Sequence, residues 1–176
     1  MTLSDFAAIG SLVSGVAVLG SLVYLSLQVR QTERNQRSIL QQGRSARVVD
    51  LILRRAEPHL SEATARAARV DPAMEPAQVD AVNAFCSAVL WSIEDSFMQH
   101  KAGLFGGSSW ELDLATLRGF LRAPYFRVAW IMSRDLTGGE YRTFVDGLME
   151  EIPPQRGVDT LARWKELMAK EIAKSA

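Results

Sequence analysis

The residues able to do chemistry are few. The chain holds two histidines and one cysteine. His59 stands three residues before Glu62, a spacing that sets both on one face of a helix, as two metal ligands require. His100 follows Glu94 and Asp95 on a helix that also carries Val89, Ile93 and Phe97. A di-iron site in a helical bundle needs paired Glu-x-x-His elements and two further carboxylates, and no Glu-x-x-His occurs in the sequence. His59 is therefore expected on a surface turn, and His100 at a helix end partly packed against the core.

Cys86 sits in the apolar segment FCSAVLW at a helical core position, which predicts a buried structural thiol rather than a nucleophile. A lone cysteine rules out an internal disulfide and suits a reducing compartment. The pairs Gly106-Gly107 and Gly138-Gly139 lack the Lys-Ser/Thr of a phosphate loop, and no Gly-x-Ser-x-Gly elbow is present. The sequence thus predicts no catalytic residue, no metal and no cofactor. The aromatic residues leave one binding option. Trp91, Trp110, Trp130 and Trp164 fall one to a helix at core-like spacing, and Trp91, Tyr125 and Trp130 are the candidates to line a pocket for an apolar ligand.

What would position these groups is a set of helices behind an apolar run. Residues 6–29 contain no Asp, Glu, Lys or Arg. A helix of ~20 apolar residues crosses the ~30 Å hydrocarbon layer, so the run predicts a transmembrane anchor in residues 1–29. A cleaved signal peptide fits less well, because the start carries Asp5 and no basic residue, and the apolar stretch exceeds the ~7–15 residues of a signal core. Arg30, Arg34 and Arg37 follow at once, opposed only by Glu33. Basic residues favour the cytoplasmic side, so the amino terminus is expected outside and the remainder in the cytoplasm. Tyr24, Arg30, Arg34 and Arg37 are the expected membrane-interface residues.

Within the span, Ala7, Ser11 and Gly15 recur every fourth residue. Small residues in such a row let helix backbones approach closely in lipid, so this row predicts helix–helix packing in a homo-oligomer or with a membrane-protein partner. Net formal charge is zero, with 20 basic and 20 acidic residues. The basic excess gathers in residues 30–55, which suits an anionic membrane face beside a more acidic body and not a nucleic-acid binder.

Residues 30–57 are expected to continue the first helix as an Arg-rich amphipathic segment. Ile39, Ala46, Val49, Ile52, Leu53 and Ala56 fall on one side of it, and the arginines, including Arg44, Arg47, Arg54 and Arg55, on the other. Arg44 is already ~21 Å beyond Arg30 at ~1.5 Å per residue, so the distal arginines are expected on a solvated face. Residues 58–176 form the third part, a bundle of helices over 60–70, 77–101, 110–123, 124–135, 140–152 and 158–174. Ser109 is the expected cap of the third of these, and Pro124 the first residue of the fourth. Val82, Phe85, Cys86, Val89, Ile93 and Phe97 follow helical core spacing. Leu161, Trp164, Met168 and Ile172 are expected to bury the last helix. No strand pattern occurs, so the fold class is all-α, with one anchor and one cytoplasmic helical bundle.

The segment YLSLQVRQT at residues 24–32 resembles the Tyr-Leu-Ala-x-Gln-Ile-Arg-x-Asn-Thr signature of a widespread group of uncharacterised bacterial single-pass membrane proteins. Residues 99–103 with Trp110, and EYRTFV at 140–145, are similar to later segments of that group. Ser26 and Val29 stand where the group has Ala and Ile. The resemblance implies an anchored cytoplasmic helical domain at the bacterial inner membrane and carries no established activity. The function expected is therefore a non-enzymatic membrane-anchored helical module that self-associates or docks as an accessory subunit. A tethered sensor for an apolar ligand is the alternative, and an unrecognised enzyme a more remote one.

Overall fold

A computed structural model describes the backbone at residues 3–104, 106–155 and 160–174, and the side chains of these residues except 3–10, 13 and 160. Seven α-helices and one 3-10 turn make up the described residues, with no strand among them. The all-α expectation holds. The chain divides into two units, residues 1–43 and 44–176, and helix α1 (Leu3–Ala56) contributes to both.

In the first unit, Ser21 Oγ donates to the carbonyl of Ala17 and Ser26 Oγ to that of Val23, while Gln28 Nε2 donates to Tyr24 Oη. Leu12, Val16, Leu19, Leu22 and Val23 stand exposed. Among the described residues no helix is long and apolar enough to cross a membrane; the side chains at 6–10 and 13 of the expected span lie outside that description.

The second unit is built on α3 (Pro76–Lys101). Glu75 caps it in an extended conformation, its N–H donating to Gln78 Oε1, and Pro76 takes the first-turn position where a missing N–H costs nothing. The row Val82, Phe85, Cys86, Val89 and Ile93 is buried, as its spacing predicts, with Leu90 buried as well and Phe97 partly buried beside it. Gly103, at φ +69°, ends the helix through the left-handed conformation that glycine adopts without steric cost.

Around α3 pack α2 (Pro58–Ala68), α4 (Gly107–Phe120) and α5 (Pro124–Ser133). The cap of α4 is Gly106 rather than Ser109, which lies inside the first turn. The glycine pair already supplies the extended cap residue, so the helix starts earlier than the serine suggests. Pro124 opens α5 as expected, and a 3-10 turn at Arg134–Leu136 leads to α6 (Gly139–Glu151). Helix α6 is tied to α3 at three points. Gly138 N–H donates to Glu94 Oε1 at 2.7 Å, Lys101 Nζ to Glu140 Oε2 at 2.6 Å, and Tyr141 Oη to the Leu90 carbonyl at 3.1 Å. The Arg127 guanidinium closes the far end by donating to the carbonyls of Met149 and Ile152.

Helix α7 (Thr160–Ala173) departs from expectation. Leu161, Trp164, Met168 and Ile172 form the anticipated stripe but are exposed, not buried. Trp91 is likewise half exposed, at 50 %. Helical spacing fixes which residues share a face, whereas burial requires a second element against that face, and none of the described elements covers these two tryptophans.

Candidate functional site

Three helices of the second unit leave an apolar groove between them. Its floor is Phe85, Val89 and Ile93 of α3; Val48 and Ile52 of α1 form one wall, Leu112 and Phe120 of α4 the other, and the volume is about 460 Å³. The floor repeats every four residues, so these side chains project along one line of α3. The walls do the same: Val48 and Ile52 are four apart, as are Leu112, Thr116 and Phe120.

One end of the groove is closed by a charge pair. Arg44 Nε donates to Asp113 Oδ2 at 2.8 Å while Nη2 donates to Oδ1, and the two side chains are only 12 % and 8 % exposed. The Asp113 carboxylate raises the guanidinium's already high pKa through this bidentate contact. Nearby, Arg47 reaches Asp95 at 2.6 Å. The solvated arginine face expected here is thus overturned for Arg44, which Asp113 of α4 meets, whereas Arg47 stays exposed as expected while pairing with Asp95 of α3. At the other end Arg55 lines the groove and makes no ion pair among the described residues.

The groove lining is mostly apolar, with Arg44, Asp113 and Arg55 as its charged members. Cys86, behind the floor residue Phe85 in sequence, is fully buried, and burial pushes its thiol up to about 12, so the thiolate a nucleophile needs is scarce at neutral pH. Among the described residues no three His, Cys, Asp or Glu side chains gather to hold a metal. His59 is exposed beside Glu57. His100 stacks on Trp110, ring centroids 5.3 Å apart and nearly parallel, next to a cluster in which Phe97 meets Trp110, Tyr141 and Phe144 within 5.8 Å. Its Nδ1 is buried with no hydrogen-bond partner among the described residues. Comparison with protein-family models, curated proteins and solved structures finds no match to the chain.

The three residues anticipated for an apolar pocket are not brought together at the groove. Trp130 is fully buried, its Nε1 donating to Asp146 Oδ1 at 2.8 Å; Tyr125 is half-buried and its hydroxyl pKa raised by burial; Trp91 is half exposed. None of them lines the groove. Of the small-residue row, Ser11 and Gly15 are exposed and a Cβ on Gly15 meets no atom within 4 Å, while the side chain of Ala7 lies outside the described residues. Tyr24, Arg30, Arg34 and Arg37 are exposed on α1. What sequence reasoning missed is the pair Arg44 and Asp113, which are 69 residues apart in the chain; no local spacing signals them.

Proposed function

We propose that this chain is a membrane-anchored helical module without enzymatic chemistry of its own, which self-associates or docks as an accessory subunit on a membrane complex. The anchor is residues 6–29, the amino terminus lies outside, and the second unit lies in the cytoplasm of a bacterium, at its inner membrane. One observation carries the reading: a run free of charged residues in which the large apolar side chains described, from Leu12 to Val29, stand open, from 53 % exposure at Leu25 to 70 % at Leu12. Exposed apolar surface on that scale marks a contact with lipid or protein. Two features support lipid. The hydroxyls of Ser21 and Ser26 bond back to their own helix, as polar groups in hydrocarbon must, and Arg30, Arg34 and Arg37 follow on one flank only. The likeness of residues 24–32 to the juxtamembrane signature agrees with this placement.

Membrane extraction and labelling test it together. The chain is expected to stay with the membrane through alkaline washing and to leave only with detergent. A Lys174→Cys variant is expected to resist a membrane-impermeant thiol reagent in intact cells and to react once they are opened. Release by alkali, or labelling in intact cells, contradicts the anchor or its direction respectively. A second reading, a tethered binding module for an apolar ligand, is favoured by the groove, because about 460 Å³ lies in the ~300–1,000 Å³ range of small-molecule sites.

A further inference from the structure

The second unit holds a cavity on α4 that shares no residue with the groove. Its volume is about 430 Å³ and its lining is Glu111, Leu114, Ala115, Arg118, Gly119 and Arg122. The groove takes its α4 wall from Leu112, Thr116 and Phe120, so the two lie on different faces of one helix. A volume of about 430 Å³ falls in the ~300–1,000 Å³ range of small-molecule sites.

Its charges are unmatched within the chain. Arg44, Arg47, Arg66 and Arg134 of the same unit each hold a carboxylate, whereas Arg118 and Arg122 are exposed and make no ion pair among the described residues. The one acid of the lining, Glu111, stands seven residues before Arg118, ~10.5 Å along the helix at ~1.5 Å per residue, and pairs with neither arginine. The negative end of a helix favours a cation on its last turn, which suits Arg118. Arg122, two residues past the end of α4, adds a second positive charge, and like charges four residues apart repel. Between them the way is open, because a Cβ on Gly119 would meet no atom within 4 Å. The backbone there is held in place, since the Arg122 carbonyl accepts the Gln155 N–H at 2.8 Å.

We propose that Arg118 and Arg122 form an anion site that binds a phosphate group, carried by a phospholipid headgroup or by a soluble phosphate ester. An anion between the two guanidinium groups relieves their repulsion and receives N–H donors from two planar forks, a geometry that matches phosphate oxygens. Leu114 and Ala115 offer apolar contact to the rest of the ligand. Glu111, at the other end of the lining, repels a second anionic group, so the site favours one phosphate over a polyphosphate or a nucleic acid. The site is independent of self-association, because no second copy contributes to it.

The test uses the full-length chain in mild detergent. The double variant Arg118→Gln with Arg122→Gln changes only exposed side chains, so its melting temperature should match the parent's. Native mass spectrometry reads retained phospholipid, and calorimetric titration with inorganic phosphate at constant ionic strength reads the free anion. With a headgroup as the source, the parent keeps a phospholipid that the double variant loses. With a soluble ester as the source, neither keeps lipid, and the parent binds inorganic phosphate with a Kd of ~1 mM or tighter. The double variant then binds it about tenfold more weakly or worse, as loss of charge-assisted hydrogen bonds does. Glu111→Gln, on the same lining, should leave either signal undiminished. Equal lipid retention together with equal or absent phosphate binding in parent and double variant overturns the site. So does a Glu111→Gln chain that loses binding as fully as the double variant.

Discussion

Helices α3 and α7 carry the same kind of pattern and meet opposite fates. In α3 the apolar row from Val82 to Ile93 is buried, with α2, α4 and α5 packed around it, and Tyr141 of α6 reaches it through a hydrogen bond to the Leu90 carbonyl. In α7 the row from Leu161 to Ile172 is as regular, and every member is exposed. The contrast separates two questions that periodicity merges. Spacing states that a face will be apolar; only the remainder of the fold, or another molecule, decides what covers it. A helix at the centre of its domain is covered within the chain, whereas no described element covers the stripe of α7.

That contrast is sharpest where burial carries charge. Arg44→Met leaves Asp113 buried beside apolar neighbours, and the expected loss of domain stability is ~3–5 kcal/mol by denaturant unfolding. The double change Arg44→Met with Asp113→Leu should recover most of it, because a matched apolar pair pays no desolvation penalty. A double variant as unstable as the single would show that the pair is worth more than its geometry implies.

The two helices can be set against each other directly. Leu90→Ala, at a fully buried α3 position, is expected to cost ~2–5 kcal/mol. Trp164→Ala should change the stability of the dilute, single chain by less than ~0.5 kcal/mol, as for an exposed residue. Equal losses would mean that α7 packs on its own domain and would erase the distinction.

How much of this was legible in the residues follows the same line. The α3 core, the Pro124 start of α5 and the end of α1 before Pro58 were readable, because each depends on local spacing or on a proline's fixed geometry. The Arg44–Asp113 pair was not, since nothing local links residues so far apart, and a basic face next to an apolar run reads as solvated. Nor was the groove, whose lining is drawn from three helices. Trp91 and Trp164 were misplaced because a large aromatic on a helix predicts a face and not a neighbour.

Smaller effects lie in the loop between α2 and α3. Val70 adopts φ +56°, the left-handed conformation that a β-branched residue enters only at a cost, and its N–H and that of Asp71 close the end of α2 on the carbonyls of Ala67 and Arg66. Since Val70 is exposed at 67 %, Val70→Gly gives up little packing and should raise stability by ~1 kcal/mol. A drop instead would mean that its side chain makes contacts that matter more than the strain.

The smallest effect is a pH dependence. Arg66, and after it the Ala73 N–H, hold the Asp71 carboxyl below its ordinary range. A carboxylate whose pKa is lower folded than unfolded stabilises the fold above the unfolded value and loses that contribution as pH falls through the folded one. Parent stability should therefore decline as pH falls below ~4, and Asp71→Asn should flatten that decline slightly. An unchanged slope in the variant would remove Asp71 from the acid response.

Mass in mild detergent reads association of the chain most directly. The parent chain is expected to run as a multiple of 19.5 kDa or in a defined complex with another membrane protein. Gly15→Ile should shift it toward the single chain, because bulk on the row of Ser11 and Gly15 prevents close helix approach, while Val18→Ile should leave it unchanged. A single 19.5 kDa species for parent and both variants at every protein concentration, with nothing co-purifying, would contradict the account.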